Sequence, residues 1–198
     1  MRVGAESKKQ VLARLRQAVA QLEACREFSL LVPEVRVNFV YALAQAQTAA
    51  DVAGVDGRIT VVHGMPKAAG PVRLGASDHM ARLVIELRRH SPNIRAGINF
   101  RWSEGLLKLV QEWCAERNWA IGMIDRSHEP RNLVGKDRSS IPWKVAQLVA
   151  TTGGKVPPVF YETRGWGKEP LFVLVGCDPV PLAAAVRDIA RRWHGQKN

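Results

Sequence analysis

The stretch PVFYETRGWGKEPLFVLVG, residues 158–176, decides the architecture. Two runs rich in β-branched and aromatic residues, PVFYET and LFVLVG, flank the loop RGWGKEP, which carries glycine and proline. A parallel crossover needs a dozen or more residues, usually a helix, and this loop has no room for one. The two runs therefore read as neighbouring antiparallel strands. Helices are expected on either side. One, over 142–152, opens on Pro142, a residue suited to a first helical turn. The last runs from after Asp178 to about His194, with Leu182, Val186, Ile189 and Trp193 inward.

The same alternation extends upstream. Val11, Leu15, Val19 and Leu22 form the apolar stripe of a helix over 6–25. NFVYALAQA is strand or helix, which periodicity alone does not decide. TAADVAGVDG reads as one short helix closed by Gly54 or Gly57. GRITVVHG and PVRLGA read as strands joined by a turn containing Pro66 and Gly70. In LGASDHMARLVIELRRH, residues 74–90, Ser77 is expected to cap a helix whose apolar face is Met80, Leu83, Val84 and Leu87. RAGINFRW is the next strand, Ser103 caps a helix running to 117, and WAIGMID is a further strand. Residues 127–141 read as a long polar loop. The expected architecture is a single α/β domain with a sheet that is at least partly antiparallel.

A chain of 198 residues can bury a full core, and 46% hydrophobic against 24% charged residues is an ordinary globular balance. No apolar run reaches the ~18 residues that span a bilayer, and the first residues lack an apolar signal core, so the expected location is cytoplasmic. Cys25, Cys114 and Cys177 are far apart and lack metal-ligand spacing, so they are expected as buried thiols. The net charge of +11 is spread along the chain, with no basic tail. That favours an electropositive cleft for anions over a disordered nucleic-acid arm.

Several residues are candidates for such a cleft. Gly165 and Gly167 free the backbone of RGWGKEP to approach a ligand, and Lys168 can meet a phosphate, although a plain hairpin loop has the same composition. The loop is neither a Walker loop, because Glu169 follows Lys168, nor a dinucleotide fingerprint, because Pro170 stands where a third glycine would be. Ser77, Asp78 and His79 are consecutive and cannot form a relay. His79 is either a half-exposed polar residue or an imidazole kept neutral by the positive helix end and offered to a substrate. Arg58, Arg95, Arg101 and Arg126 lie near strand ends, as phosphate ligands or as surface ion-pair partners. Asp125, His128 and Glu129 open the polar loop as possible metal ligands. Trp166, between two glycines, is expected to be exposed and able to stack on an aromatic ring.

Taken in order, VNFVYAL, DVAGVDGRIT, RLGASDHMAR, IRAGIN, DRSHEP and GKEP resemble the ThiN-type thiamine-phosphate synthase family. The resemblance runs from about Leu30 to the last helix. It implies a class II aldolase-like, three-layer α/β/α fold with a mixed, largely antiparallel sheet. It also implies a helical extension over 1–28 ahead of a catalytic domain over 29–198. The implied reaction joins hydroxymethylpyrimidine diphosphate to hydroxyethylthiazole phosphate, giving thiamine phosphate and pyrophosphate. A non-catalytic thiamine-phosphate sensor is the alternative.

The family's functional arginine and histidine fall on Arg58 and His79. The motifs supply Asn38, Gly75, Ser77, Asp78, Arg82, Arg95, Asn99, Asp125, Arg126, Gly165, Gly167, Lys168 and Glu169 as substrate- or phosphate-binding candidates. Implied companions are Mg2+ on the diphosphate, a separate pyrimidine kinase and a possible homodimer, with no specific nucleic acid and no membrane. The chain departs from the family pattern at Val35-Arg36-Val37 before Asn38, at Pro157-Pro158 and at Glu162-Thr163-Arg164.

Overall fold

The computed structural model describes residues 6–133, 135 and 137–196. Helix α1 (Lys8–Glu23) is fixed at its start by a reciprocal box: Gln10 N–H donates to Ser7 Oγ and Ser7 N–H to Gln10 Oε1. Its apolar stripe is the expected one, with Val11, Leu15, Ala18, Val19 and Leu22 buried. A 3₁₀ helix (Arg26–Leu31) leads into β1 (Phe39–Ala42), which settles NFVYALAQA as a strand.

TAADVAGVDG is not a helix. After a single 3₁₀ turn (Ala49–Asp51) it extends into β2 (Val52–Val55), with all four strand residues buried. β2 pairs antiparallel with β1 on one side and with β5 (Val72–Leu74) on the other. These long-range pairings override the helical leaning of the alanines, helped by β-branched Val52 and Val55. β3 (Ile59–Val62) and β4 (Met65–Ala68) form a separate hairpin. Pro66 thus lies in a strand rather than a turn. A two-stranded hairpin has an open edge, where a missing N–H is tolerated.

The remaining elements are α2 (His79–His90), β6 (Ala96–Arg101), α3 (Glu104–Ala115), β7 (Ile121–Ile124), α4 (Asp137–Thr151), β8 (Val159–Glu162), β9 (Leu171–Gly176) and α5 (Pro179–Gly195). Ser103 and Asp178 cap α3 and α5 as expected. Helix α4 begins before Pro142, which lies inside it, so the long loop expected over 127–141 is shorter. That stretch lacks an apolar period, yet Ser140 and Ile141 at its end are buried, continuing into Lys144, Val145 and Leu148 of the same helix.

The sheet has the order β5-β2-β1-β6-β9-β8-β7. Every neighbouring pair is antiparallel except β7–β8, so the sheet is mixed and largely antiparallel. The short connection between β8 and β9 does join antiparallel neighbours. One face is covered by α1, α3 and α5, whose Leu15, Trp113 and Val186 join a core with Phe39, Phe100 and Phe172. The other is covered by α2 and α4, which bring Leu83, Val84, Val145 and Leu148 against Val40, Phe160 and Val173. Three layers result. Residues from α1, within the stretch expected as a helical extension, share the sheet's core. Cys25 and Cys114 are buried, but Cys177 is exposed, against expectation.

Candidate active site

β1 starts, β6 and β8 end, and β9 starts at one end of the sheet, because antiparallel neighbours alternate in direction. A cavity of about 270 Å³ opens there. Its wall includes Arg58, His79, Arg126 and Lys168, together with Asn38, Asn99, Glu162 and Glu169. Met80, Leu83, Leu171 and Val173 give it an apolar side.

His79 is the first residue of α2, but Ser77 does not cap the helix. Ser77 is buried and donates from Oγ to Asn38 Oδ1 at 3.2 Å. The close approach is possible because Gly54 faces Ser77: a Cβ on Gly54 would lie 3.3 Å from the serine's own. Asn38 N–H donates to Asn99 Oδ1 at 2.6 Å, and Asn99 Nδ2 donates to Arg36 O. These polar side chains thus tie the start of β1, the end of β6 and the entry to α2 together.

Arg58 reaches the cavity from a turn in which Gly57 and Arg58 both have positive φ, +70° and +71°. The left-handed region suits glycine, whereas a side chain such as that of Arg58 is strained there. Arg58 Nη1 donates to Val35 O, which holds the guanidinium beside the cavity.

The glycine loop supplies a further part of the wall through Gly167, Lys168 and Glu169. Gly165 N–H donates to Lys168 O and Lys168 N–H to Gly165 O, so Trp166 and Gly167 are the centre of a tight turn. Gly167 supplies the positive φ, +64°. Glu169 fastens the loop by accepting from Val35 N–H at 2.7 Å and Glu34 N–H at 3.3 Å. Trp166 is 80% exposed, as expected, and stands outside the cavity wall.

Beneath the loop lies a group of buried charges. Arg126 follows β7 in a 3₁₀ turn (Arg126–His128), and its side chain is only 3% exposed. Its Nη1 is 3.1 Å from Glu162 Oε2, and its Nε is 3.5 Å from Glu129 Oε2. Lys144 Nζ from α4 reaches the same Glu162 oxygen at 2.7 Å. Arg126 Nη2 is buried and has no hydrogen-bond partner among the described residues. Burial alone would raise the pKa of Glu162, but Lys144 and Arg126 outweigh it and hold the carboxyl below its ordinary value. Burial lowers that of Lys144, which Glu162 only partly offsets.

Of the expected site residues, Arg58, His79, Asn38, Asn99, Arg126, Gly167, Lys168 and Glu169 converge on the cavity. Ser77 lies directly behind Asn38, and Gly165 sits against Arg126. The others are elsewhere. Asp78 turns outward to Arg82 at 2.8 Å and Arg138 at 3.2 Å, which occupies both Asp78 and Arg82. Gly75, with φ +70°, bends the chain ahead of α2 without lining the cavity.

Arg95 is at the far end of the sheet, paired with Glu6 at 2.7 Å and stacked over Tyr41. Arg101 ends β6 as an exposed residue outside the wall. Asp125 accepts from Ser127 N–H and pairs with His128 at 2.9 Å, whereas Glu129 turns inward to Arg126. These three side chains therefore do not converge on a metal, and among the described residues no group of three or more His, Cys, Asp or Glu does.

Glu162 and Lys144 were not anticipated. Their signal was present: Lys144 lies on the stripe of Ile141, Val145 and Leu148, and Glu162 ends a strand whose Val159 and Phe160 are buried. A charge on a buried face calls for a buried partner.

The site can hold an anion, with guanidinium, ammonium and imidazole donors arriving from separate elements. Comparison with known proteins points the same way. Residues 14–188 match the family profile described as "Thiamine-phosphate synthase ThiN". The chain is 34% identical over 183 residues to thiamine-phosphate synthase ThiN of Methanothermobacter thermautotrophicus, covering 92% of this chain and 94% of that one. It is 30% identical over 165 residues to the bifunctional thiamine biosynthesis protein ThiDN of Methanocaldococcus jannaschii, covering 83% of this chain and 37% of that longer one.

Its fold superposes with a TM-score of 0.86 on the C-terminal domain of a phosphomethylpyrimidine kinase, at 33% identity over 92% of this chain and all of that one. A more distant likeness, TM-score 0.53 at 14% identity, is to YgbL of Klebsiella pneumoniae, a putative aldolase/epimerase/decarboxylase, over 97% of this chain and 92% of that one; it concerns the fold alone. By sequence and by fold, the chain belongs to the thiamine-phosphate synthase ThiN family.

Proposed function

We infer that this chain is a thiamine-phosphate synthase, joining hydroxymethylpyrimidine diphosphate to hydroxyethylthiazole phosphate. The observation that carries the reading is Arg126 Nη2, a buried guanidinium nitrogen without a partner in the wall of a cavity that Arg58, His79 and Lys168 also line. An orphaned donor of that kind is costly unless a ligand supplies the acceptor, and a phosphate oxygen is a fitting one.

In the proposed reaction the methylene C–O bond of the pyrimidine breaks and pyrophosphate leaves with the electron pair. The thiazole nitrogen donates its lone pair to that carbon, so atoms and charges balance without a net proton transfer. Arg58, Arg126 and Lys168 would stabilise the charge that grows on the leaving group, and His79 would donate a hydrogen bond to it. The apolar wall of Met80, Leu83, Leu171 and Val173 would seat the rings and exclude water.

Magnesium is proposed only as the ion that the diphosphate brings. The cavity's carboxylates are committed, Glu162 to Lys144 and Arg126 and Glu169 to backbone N–H groups, so these residues do not fit a protein-held Mg2+. A separate kinase supplying the diphosphate, a possible homodimer, a cytoplasmic location and a class II aldolase-like fold class complete the proposal. Among the described residues no helix is long and apolar enough to cross a membrane. The test is to incubate the purified protein with both substrates and magnesium. Thiamine phosphate is the expected product, and its absence with folded protein would overturn the reading.

A further inference from the structure

Lys144 does not line the cavity, yet its charge bears on what the cavity can hold. Its side chain is 1% exposed and its Nζ lies 2.7 Å from Glu162 Oε2, the oxygen that also faces Arg126 Nη1 at 3.1 Å. Arg126 has a second carboxylate, Glu129, 3.5 Å from its Nε. With Lys144 removed, one guanidinium would face two carboxylates, and the group of Arg126, Glu129 and Glu162 would by itself carry a net negative charge beside the cavity's Lys168 and His79. With Lys144 present, the two cations of this group balance its two carboxylates, and Arg126 keeps Nη2 for an outside acceptor.

Packing alone is a weak reason for this arrangement. Buried ion pairs are often no more stable than well-packed apolar side chains of similar volume, because both charges must be desolvated. The neighbours of Lys144 along the helix, Ile141, Val145 and Leu148, are apolar and buried, so a methionine would suit the position. The ammonium is therefore better explained by what it does to Glu162.

We propose that Lys144 is a positioning residue of the anion site: by sharing Glu162 Oε2, it keeps that carboxylate from neutralising Arg126, which is thereby free to hold a phosphate oxygen of the substrate. The role is indirect, since Lys144 touches no ligand. The inference rests on reading the cavity as an anion site.

The experiment measures inorganic pyrophosphate binding by calorimetry at fixed low ionic strength, with urea denaturation to establish folding. The proteins compared are the wild type, Lys144→Met, Glu162→Gln and the double variant. Lys144→Met should bind at least about tenfold more weakly, the scale of one uncompensated charge a few ångströms away. Glu162→Gln, which leaves an extra positive charge, should bind at least as tightly as wild type. The double variant, which removes both charges, should return to within about threefold of wild type.

A purely structural role gives another pattern, with every variant weakened and the double variant weakest. That pattern, or unchanged affinity in Lys144→Met, would overturn the proposal. If Lys144→Met alone fails to fold, the Glu162→Gln and double variants still decide it, since weakened binding in both refutes the charge argument. A wild type that binds no pyrophosphate would remove the anion-site reading beneath it, a distinct failure.

Discussion

Ser77 gives its hydroxyl hydrogen to Asn38 Oδ1 across 3.2 Å, joining the entry of α2 to the start of β1 inside the protein. A serine just ahead of a helix ordinarily serves the helix, yet here it serves the sheet. Ser77→Ala should leave Asn38 Oδ1 buried without its partner and cost about 1–3 kcal/mol in urea denaturation. Ser77→Asp separates the two roles. At a helix cap, aspartate is as good as serine, whereas here it would press a carboxylate against the Asn38 carbonyl oxygen and destabilise the fold further. Equal stability of Ser77→Asp and wild type would contradict this account.

Arg58 and His79 should separate chemistry from binding. Arg58→Ala and His79→Ala are each expected to lower turnover by roughly 10²-fold or more, the scale of losing a preorganised donor, with a smaller loss of thiamine-phosphate affinity. Equal losses in both quantities would make these residues ground-state binders. Arg58→Gly adds a control, because residue 58 has φ +71°. Glycine relieves that backbone while loosening the unfolded chain, so stability should be unchanged or up to about 1 kcal/mol higher while turnover is lost.

The loop glycines should behave differently from each other. A Cβ on Gly165 would lie 3.0 Å from Arg126 Nε and 3.3 Å from its Cδ. Arg126 is pinned by Glu162 and cannot easily give way, so Gly165→Ala should raise KM for the diphosphate by about tenfold, as small misplacements do. Gly167 has open space around it but φ +64°. Gly167→Ala should therefore strain the turn, at a cost of about 1 kcal/mol, and affect KM less. Steady-state kinetics on both variants checks the contrast.

The parts of the fold legible in sequence were those set by local chemistry. The β8–β9 pairing followed from a short loop with glycines, and α3 and α5 from Ser103 and Asp178 at their caps. β2 was not legible, because its extended form comes from β1 and β5 on either side, which no local window contains. In the site, Arg58, His79 and Lys168 stood out beside glycines or at a helix start. Arg95 misled, since it precedes β6 whereas the cavity lies where β6 ends; direction in an antiparallel sheet has to be known before strand ends can be grouped. Glu162 and Lys144 each carried a local signal, a charge on an otherwise apolar face, but that they are each other's partner emerges only when the fold brings them within 2.7 Å.

Acid should unfold this protein through its paired carboxylates. Glu162 is held below its ordinary pKa because Lys144 and Arg126 outweigh its burial. Asp51 is held low by the Thr48 and Gln47 N–H groups and the Thr48 hydroxyl. A folded-state pKa below the unfolded value means stability that is present above the unfolded value, about 4, and lost as pH falls through the folded one. The urea midpoint should therefore fall below about pH 4, and Asp51→Asn should flatten that limb. A midpoint rising with acid would contradict the sign.

The place of β9 in the sheet has a consequence for synthesis on the ribosome. β9 lies between β6 and β8 and is made after every other strand of this sheet. Until it emerges, the nascent chain can assemble only two partial sheets, β5-β2-β1-β6 and β8-β7, whose facing strands have backbone groups waiting for a neighbour. Such open edges invite pairing with other chains. α1, made before the sheet, meanwhile waits for α5, made after it, which packs against it. Folding of this domain is thus expected to wait until β9 and α5 have left the ribosome, with one late strand closing the sheet from the middle.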